Sequence, residues 1–297
     1  MPADENTSTA NALRHEAERL ASGLPPLLVR AERIAASVLP GTHGRRRIGP
    51  GETFWQFRRY QFGDPARSID WRRSARADSV YIRQHEWEAA QSVWLWRDTS
   101  PSMRFQSTYA QEQKRDRADV LTLSLASLLV RGGEHVGLLG VDEMPRGGRA
   151  AIEATAIKIA HKDASDLSLP PLLRIRRHSH LVMIGDFLSP LAEIDELIRA
   201  YVARGVHGHL LQILDPIEED LPFSGHVRFE GLEGEGEQTF GRVEAVADDY
   251  HSRMTARREA LANICREVGW SHNLHRTDHS AQTALLSIYT ALTGGVG

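Results

Sequence analysis

The 297-residue chain has a single cysteine, Cys265, which excludes an intramolecular disulfide and a cysteine-rich zinc site. It also lacks any run of about 18 uncharged apolar residues, the length that a membrane-spanning helix needs. Its first residues, MPADENTSTA, have neither the basic end nor the apolar core of a secretion signal. We therefore expect a cytoplasmic protein without a membrane segment.

The charge of the chain is distributed unevenly. With 41% apolar and 25% charged residues, the composition is typical of a globular protein with a substantial core. The formal net charge is only −3, yet residues 45–83 hold ten arginines against four acids, and residues 213–250 hold eleven acids against two arginines. We interpret both blocks as solvated faces, with contact to a partner or to nucleic acid as the alternative for the arginine block.

Short apolar strands alternate with amphipathic helices through most of the chain. The pattern predicts strands at 92–98, 135–141, 180–187 and 208–214, with helices at 114–131, 148–160, 190–205, 246–268 and 281–292. This alternation predicts an α/β fold with a doubly wound, mostly parallel sheet that has helices on both faces. Ahead of it, residues 10–38 predict two helices interrupted at Pro25 and Pro26, and residues 44–76 form an arginine-rich, non-periodic arm.

The chain therefore divides into three predicted regions. Residues 1–43 form the N-terminal helices, residues 44–88 form the arginine-rich and aromatic arm with a strand candidate at its end, and residues 89–297 form the α/β domain.

Polar side chains follow two of the apolar strands. The stretch "LWRDTSPSM" places Asp98, Ser100 and Ser102 at every second position, and Asp186 ends another apolar run. Because sites form at the carboxyl ends of parallel strands, a doubly wound topology can bring these side chains together. Carboxylate and hydroxyl oxygens are the ligands that Mg²⁺ and other hard divalent cations prefer.

Two other interpretations of Asp-x-Ser-x-Ser remain open from the residues alone. The serines could cap a helix while Asp98 forms a turn. Ser100 could also be a nucleophile, although no G-x-S-x-G elbow surrounds it and no accompanying motif places a histidine. The histidine groups, His207 with His209 and His272 with His275 and His279, lack carboxylate or cysteine partners at metal spacing, so we interpret them as structural or surface residues.

Two motifs carry a resemblance to known families. "DTSPSM" after an apolar strand resembles the metal-ion-dependent adhesion site of von Willebrand factor A domains, with its D-x-S-x-S pattern. The stretch from 44 to 88 resembles the bacterial domain-of-unknown-function 58 family, whose signature is R-x-Y-x-x-G-D-x-x-R-x-I-D-W-x-x-S-A-R. Its residues here are Arg58, Tyr60, Gly63, Asp64, Arg67, Ile69, Asp70, Trp71, Ser74, Ala75 and Arg76.

The resemblance implies a von Willebrand factor A-like fold and a Mg²⁺ site. Its ligands would be Asp98, Ser100, Ser102 and Asp186, with Ser165 in "DASDLSLPP" where the family often shows Thr-Asp-Leu. It further implies a non-enzymatic protein-interaction module whose metal keeps a position open for an acidic side chain. The implied partner is a MoxR-type AAA+ ATPase, in a chaperone-like or maturation system. This chain itself has no G-x-x-x-x-G-K-[ST] phosphate loop.

The arginine-rich arm has two possible roles. Its residues Arg58, Tyr60, Asp64, Arg67, Asp70, Trp71 and Arg76 form either an ion-paired, tryptophan-packed structural arm or a partner-binding surface. The interleaved acids argue against nucleic acid as the partner.

Two functions from other classes stay open. One is a metal-dependent hydrolase or nuclease that uses Asp98 and Asp186, for which Asp166 is the candidate further acid or base. The other is a metal-free scaffold that keeps the fold and docks through the arm.

Overall fold

A computed structural model describes residues 27–38, 48–61, 64, 69–77, 79–86, 90–160, 166–232 and 236–294. The chain forms two compact units, one of Gly41–Ala90 and one of Met1–Pro40 with Gln91–Gly297. Within these described ranges, no helix is both long enough and apolar enough to cross a membrane.

The elements are numbered along the chain. The strands are β1 (Ile48–Arg59), β2 (Tyr81–Glu86), β3 (Ser92–Arg97), β4 (His135–Leu138), β5 (His180–Gly185), β6 (His207–Leu214), β7 (Val227–Glu230), β8 (Glu237–Phe240) and β9 (Ser271–Arg276). The helices are α1 (27–38), α2 (Trp71–Ser74), α3 (Lys114–Arg131), α4 (Arg149–Ala160), α5 (Leu191–Ala203), α6 (Pro216–Asp220), α7 (Glu244–Glu267) and α8 (Ala281–Gly294).

The larger unit is built on a parallel sheet of five strands in the order β4-β3-β5-β6-β9. Its central strand β5 is buried along its whole length, which explains its uninterrupted apolar sequence. One apolar core lies between one face of the sheet and helices α1, α3, α4 and α8. The other face packs on α5 and α7. The prediction of an α/β fold with a parallel sheet flanked by helices is confirmed.

The strand order reverses between β3 and β5. From β3 the chain moves outward to β4, then returns to pair β5 on the opposite side of β3. In doubly wound sheets such a reversal leaves a crevice at the carboxyl ends of the two central strands. Asp98 follows β3 and Asp186 follows β5, so both aspartates lie at this point.

Two features of the larger unit differ from the sequence prediction. Strand β9 was not predicted, because SHNLHR has no apolar alternation; the strand pairs only with β6 at the edge of the sheet and is only partly buried. The antiparallel hairpin of β7 and β8 was not predicted either, since both strands are short and rich in charge.

In the smaller unit, β1 and β2 form an antiparallel pair. The non-periodic arm predicted for 44–76 is therefore wrong over residues 48–59. Register shifts between residues 48 and 53 and between 54 and 56 break the alternation that reveals a strand in the sequence. Helix α2 lies between β1 and β2 in the chain. Its N-terminus is capped by the Asp70 carboxylate, which accepts a hydrogen bond from the Arg73 amide at 2.9 Å.

Candidate functional site

The carboxyl ends of β3 and β5 approach each other closely. The Asp98 amide donates a hydrogen bond to the Ile184 carbonyl at 2.8 Å, which extends the pairing of the two strands by one residue. Gly185 faces the Asp98 side chain, and a Cβ at residue 185 would lie 2.7 Å from Asp98 Cβ. A glycine is therefore required here for the Asp98 carboxylate to enter the crevice.

Six side chains form one continuous run of polar contacts, which we call the polar chain: Asp98, Ser100, Ser102, Asp186, Lys114 and Glu218. The Ser100 hydroxyl lies 2.5 Å from Asp98 Oδ1 and 3.0 Å from Ser102 Oγ. Ser102 Oγ lies 2.7 Å from Asp186 Oδ2, and the same oxygen lies 2.9 Å from Lys114 Nζ. Lys114 Nζ then reaches Glu218 Oε1 at 2.5 Å.

The Asp98 end of the polar chain has more hydrogen-bond acceptors than donors. A serine hydroxyl carries one proton. With both carboxyl groups ionised, Ser100 donates its proton to Asp98 and Ser102 donates its proton to Asp186, which leaves no proton for a hydrogen bond between the two hydroxyl oxygens, 3.0 Å apart. The second oxygen of Asp98, Oδ2, is buried and has no hydrogen-bond partner among the described residues. Three oxygens with unused lone pairs therefore lie at this end.

The electrostatics of the polar chain are those of a buried, acidic cluster. Asp98 and Asp186 are 0% and 1% exposed. Burial, and then the neighbouring Asp186 carboxylate, raise the pKa of Asp98 to about 7. Burial alone would lower the pKa of Lys114, but the carboxylates of Asp186 and Glu218 raise it above the ordinary lysine value. Burial also raises the pKa of Glu218.

The loop after β5 is held in a strained conformation. Phe187 is fully buried and has a φ of 54°, in the left-handed region that costs a bulky residue energy. The Arg257 guanidinium donates to the carbonyls of Phe187, at 2.5 Å, and of Ser189. The Gln212 amide donates to the Asp186 carbonyl at 3.0 Å. These contacts fix the direction in which the Asp186 carboxylate points.

The structure therefore brings together four of the five predicted metal ligands, Asp98, Ser100, Ser102 and Asp186. The fifth, Ser165, lies outside the described residues. Asp166, the candidate further acid of a hydrolase, is half exposed and forms an ion pair with Arg104 at 2.7 Å.

Sequence reasoning missed two of the six members of the polar chain, Lys114 and Glu218. Lys114 opens helix α3, where a lysine ordinarily lies in solvent, and no local pattern distinguishes it. Glu218 belongs to the acidic segment 213–250, which we interpreted as solvated. That interpretation is wrong for Asp215, which is buried and caps α6. It is also wrong for Glu218, which is half-buried and whose Oε2 accepts a hydrogen bond from the Asp215 amide at 2.8 Å. A glycine at the end of an apolar strand, Gly185, was a usable signal for close approach.

In the arm, the structure shows the ion pairing that the sequence suggested. Arg58 forms two hydrogen bonds to Asp64, at 2.9 and 3.1 Å, which is the fork geometry of a guanidinium with a carboxylate. Trp71, on the short helix α2, is 67% exposed. Arg67 lies outside the described residues.

His180, His207 and His209 form a separate group at the opposite, amino-terminal end of β5 and β6, whereas His275 lies near the carboxyl end of β9. His180 and His209 are buried with stacked rings, and His209 Nδ1 lies 2.9 Å from Ser271 Oγ. In the part of the chain that the structure describes, no three His, Cys, Asp or Glu side chains converge as a metal site. The polar chain is different in kind, since half of its predicted ligands are serines.

Comparisons with known proteins place the chain among uncharacterized relatives. It is 29% identical over 276 residues to the uncharacterized proteins Rv1480 of Mycobacterium tuberculosis and Mb1516 of Mycobacterium bovis, covering 88% of this chain and 86% of each relative. Among solved structures, it is similar to BatB from Bacteroides thetaiotaomicron, with 15% identity and a TM-score of 0.38, over 69% of this chain and 98% of that one.

A second similar structure is an aerotolerance-related membrane protein from Bacteroides fragilis, with 15% identity and a TM-score of 0.39, over 69% of this chain and 100% of that one. The family model for the protein of unknown function DUF58 matches residues 56–260, and the chain belongs to this family.

Proposed function

We propose that this chain is a non-enzymatic protein-interaction module that binds a hard divalent cation, Mg²⁺ in particular, at Asp98, Ser100, Ser102 and Asp186. The proposal rests on the surplus of hydrogen-bond acceptors at the Asp98 end of the polar chain. When Asp98 and Asp186 are ionised, two serine oxygens with no proton between them and a buried Asp98 oxygen without a partner among the described residues are a costly arrangement without a cation.

The residues of the site fit such a cation. All four side chains offer oxygen, and Mg²⁺ in proteins takes one or two carboxylates with neutral oxygens and water. Sulfur and imidazole ligands, which favour zinc, copper or nickel, do not belong to the polar chain. When bound, Mg²⁺ would supply a coordination position that an acidic side chain of a partner can take. This is the role that the likeness of "DTSPSM" to a metal-ion-dependent adhesion site implies, together with a von Willebrand factor A-like fold.

Neighbouring residues would keep the Asp98 and Asp186 carboxylates in position for that partner. Gly185 gives the Asp98 carboxylate its space, and Arg257 fixes the loop that carries Asp186. Ser165 remains a candidate ligand outside the described residues. For the partner itself we propose a MoxR-type AAA+ ATPase, as the family signature in residues 44–88 implies, acting with this chain in a chaperone-like or maturation system.

The placement of Asp166 favours an interaction module over a hydrolase or nuclease. A metal-dependent hydrolase needs an acid or base free to act beside the metal. Asp166 is instead engaged by Arg104 at the surface.

Co-purification with a MoxR-type ATPase from the same cell tests this function. Wild-type protein should retain the ATPase in Mg²⁺ and release it in EDTA, and Asp98→Asn should fail to retain it in either buffer. Asp249→Asn is the matched control, because Asp249 is an exposed acid on α7. Retention by Asp98→Asn, or retention that EDTA leaves unchanged, would contradict the proposal.

A further inference from the structure

The polar chain contains a cation of its own. Lys114 is fully buried, and its ammonium bonds to Asp186 at 2.9 Å and to Glu218 at 2.5 Å. A buried ammonium is stable only where carboxylates and hydrogen bonds compensate its loss of hydration. With all groups ionised, the polar chain holds three carboxylates and one ammonium, which leaves two uncompensated negative charges. Lys114 therefore neutralises only part of the cluster.

Lys114 and a metal at the serines would draw on the same carboxylate, that of Asp186. Asp186 Oδ2 accepts the Ser102 hydroxyl at 2.7 Å and the Lys114 ammonium at 2.9 Å. Two positive charges that share one carboxylate repel each other across a buried, weakly screened site. Glu218 is a second carboxylate in contact with the ammonium, so it can keep Lys114 neutralised while Asp186 serves another cation.

We propose that Lys114 is the resident cation of this site: it holds Asp186 and Glu218 in place when no metal is bound, and it weakens the binding of a divalent cation so that binding is reversible. This inference rests on the proposed metal site. It assigns Lys114 as the residue that regulates that site, in addition to its packing at the start of α3.

Titration of Mg²⁺ into metal-stripped wild-type protein and Lys114→Met tests this role by calorimetry. Methionine has a similar length but no charge, so Mg²⁺ should bind at least tenfold more tightly to the variant. The unfolding temperature of the variant should fall in metal-free buffer and rise with Mg²⁺ by more than that of wild type. Lys158→Met is the matched control, since Lys158 pairs with Asp142 outside the polar chain, and it should leave the Mg²⁺ affinity unchanged.

Each outcome separates the inference from the proposed function. Equal or weaker binding of Mg²⁺ by Lys114→Met than by wild type overturns the inference and leaves the metal site standing. If Lys114→Met binds Mg²⁺ and wild type does not, and the double variant with Asp98→Asn loses this binding, the inference is supported. Metal binding by wild type is then overturned. Absence of binding in all variants overturns both. Should Lys114→Met unfold without metal, refolding in Mg²⁺ supports the inference, and failure to refold in Mg²⁺ overturns it.

The smaller unit has an arginine-lined pocket, from which we draw a second inference. A pocket of about 430 Å³ lies between α2 and the β1–β2 pair, lined by Phe57, Asp70, Arg72, Arg73, Arg76, Ala77 and Tyr81. The Arg73 guanidinium carbon lies over the rings of Phe57 and Tyr81, at 4.3 and 5.3 Å from their centroids, which fixes one positive charge in the wall.

Arg72 and Arg76 carry the other two guanidinium groups of the pocket. Arg72 and Arg76 are exposed, and within the described residues neither has an ion-pair partner. The carboxylate of Asp70 already caps α2 through the Arg73 amide. Among the described residues that line the pocket, three guanidinium groups thus accompany one carboxylate, an arrangement that favours an anionic ligand.

We infer that this pocket binds an acidic segment of a protein partner through the carboxylates of its Asp and Glu side chains. Trp71 and Tyr60 are exposed in the same unit at 67% and 39%, and exposed aromatic residues beside arginine are typical of protein interfaces. A nucleic acid backbone needs a continuous basic stripe, whereas here the acids Asp64 and Asp70 interrupt the arginines.

Fluorescence anisotropy with a labelled twelve-residue peptide of alternating Glu and Ala tests the pocket at low salt. Wild-type protein should bind this peptide, and Arg72→Gln with Arg76→Gln should weaken binding at least tenfold. The control is Arg149→Gln with Arg253→Gln, two exposed arginines on α4 and α7. No binding by wild type, equal binding by the pocket variant, or tighter binding of a single-stranded oligonucleotide would each overturn the inference.

Discussion

Gly185 and Asp98 face each other across strands β5 and β3 at a separation that only a hydrogen side chain permits. A Cβ on residue 185 would lie 2.7 Å from Asp98 Cβ and 2.9 Å from Asp98 Oδ2. Oδ2, the oxygen that would be crowded, is the one that has no hydrogen-bond partner in the part of the chain that the structure describes. The backbone of one strand therefore makes room for the carboxylate that ends the other.

Gly185→Ala should disturb this arrangement selectively. The added methyl group has to displace the Asp98 carboxylate, at a cost of about 1–3 kcal/mol in the free energy of unfolding. Divalent-cation binding should weaken as well, because Asp98 moves away from the serines. Denaturant unfolding and Mg²⁺ titration measure the two effects. Gly241→Ala is the control, since a Cβ there meets nothing within 4 Å. Unchanged Mg²⁺ binding in Gly185→Ala would contradict this account.

Arg117 should be irreplaceable even by lysine. Its buried guanidinium pairs with Glu112 and also donates to the carbonyls of His279, at 2.7 Å, and of Thr277, at 2.9 Å, which ties α3 to the β9–α8 connection. A lysine cannot reach all three acceptors, so Arg117→Lys should lose about 2 kcal/mol or more of stability. Arg131→Lys, at an exposed and loose ion pair, should lose about 0.5 kcal/mol or less by chemical denaturation. Equal losses would show that Arg117 acts as a simple charge.

Acid should destabilise the fold partly through His209. Burial, and then His180 and His207, lower the pKa of His209 to about 3. An unfolded histidine takes up a proton below about pH 6.5, whereas the folded one stays neutral, so stability falls as the pH drops from about 6.5 towards 3. At pH 5 this group alone accounts for about 2 kcal/mol. Denaturation at pH 7 and pH 5 should show a smaller loss for His209→Gln than for wild type, and equal losses would remove His209 as the cause.

The sequence predicted the strands whose apolar residue pattern is a consequence of burial in the sheet. Strands β3, β5 and β6 are covered on both faces, so their residues had to be apolar, and the aspartates Asp98 and Asp186 that end two of them were visible as breaks in that pattern. The adjacency of these aspartates follows from the reversal of strand order between β3 and β5.

The parts that the sequence did not predict depend on contacts between distant residues. Lys114 is buried because Asp186 and Glu218, 72 and 104 positions away, surround its ammonium, and no local pattern encodes that. Strand β9 is polar because it lies at the edge of the sheet, where pairing with β6 and not burial determines its conformation.

The most direct measurement is a calorimetric titration of Mg²⁺ into metal-stripped wild-type protein and Asp98→Asn, with Asp249→Asn, an exposed acid on α7, as a surface control. The account predicts one bound ion per chain for wild type and for the control, and no binding heat for Asp98→Asn. Absence of heat in wild type, or the same binding in Asp98→Asn, would contradict the claim that Asp98 and the two serines hold a divalent cation.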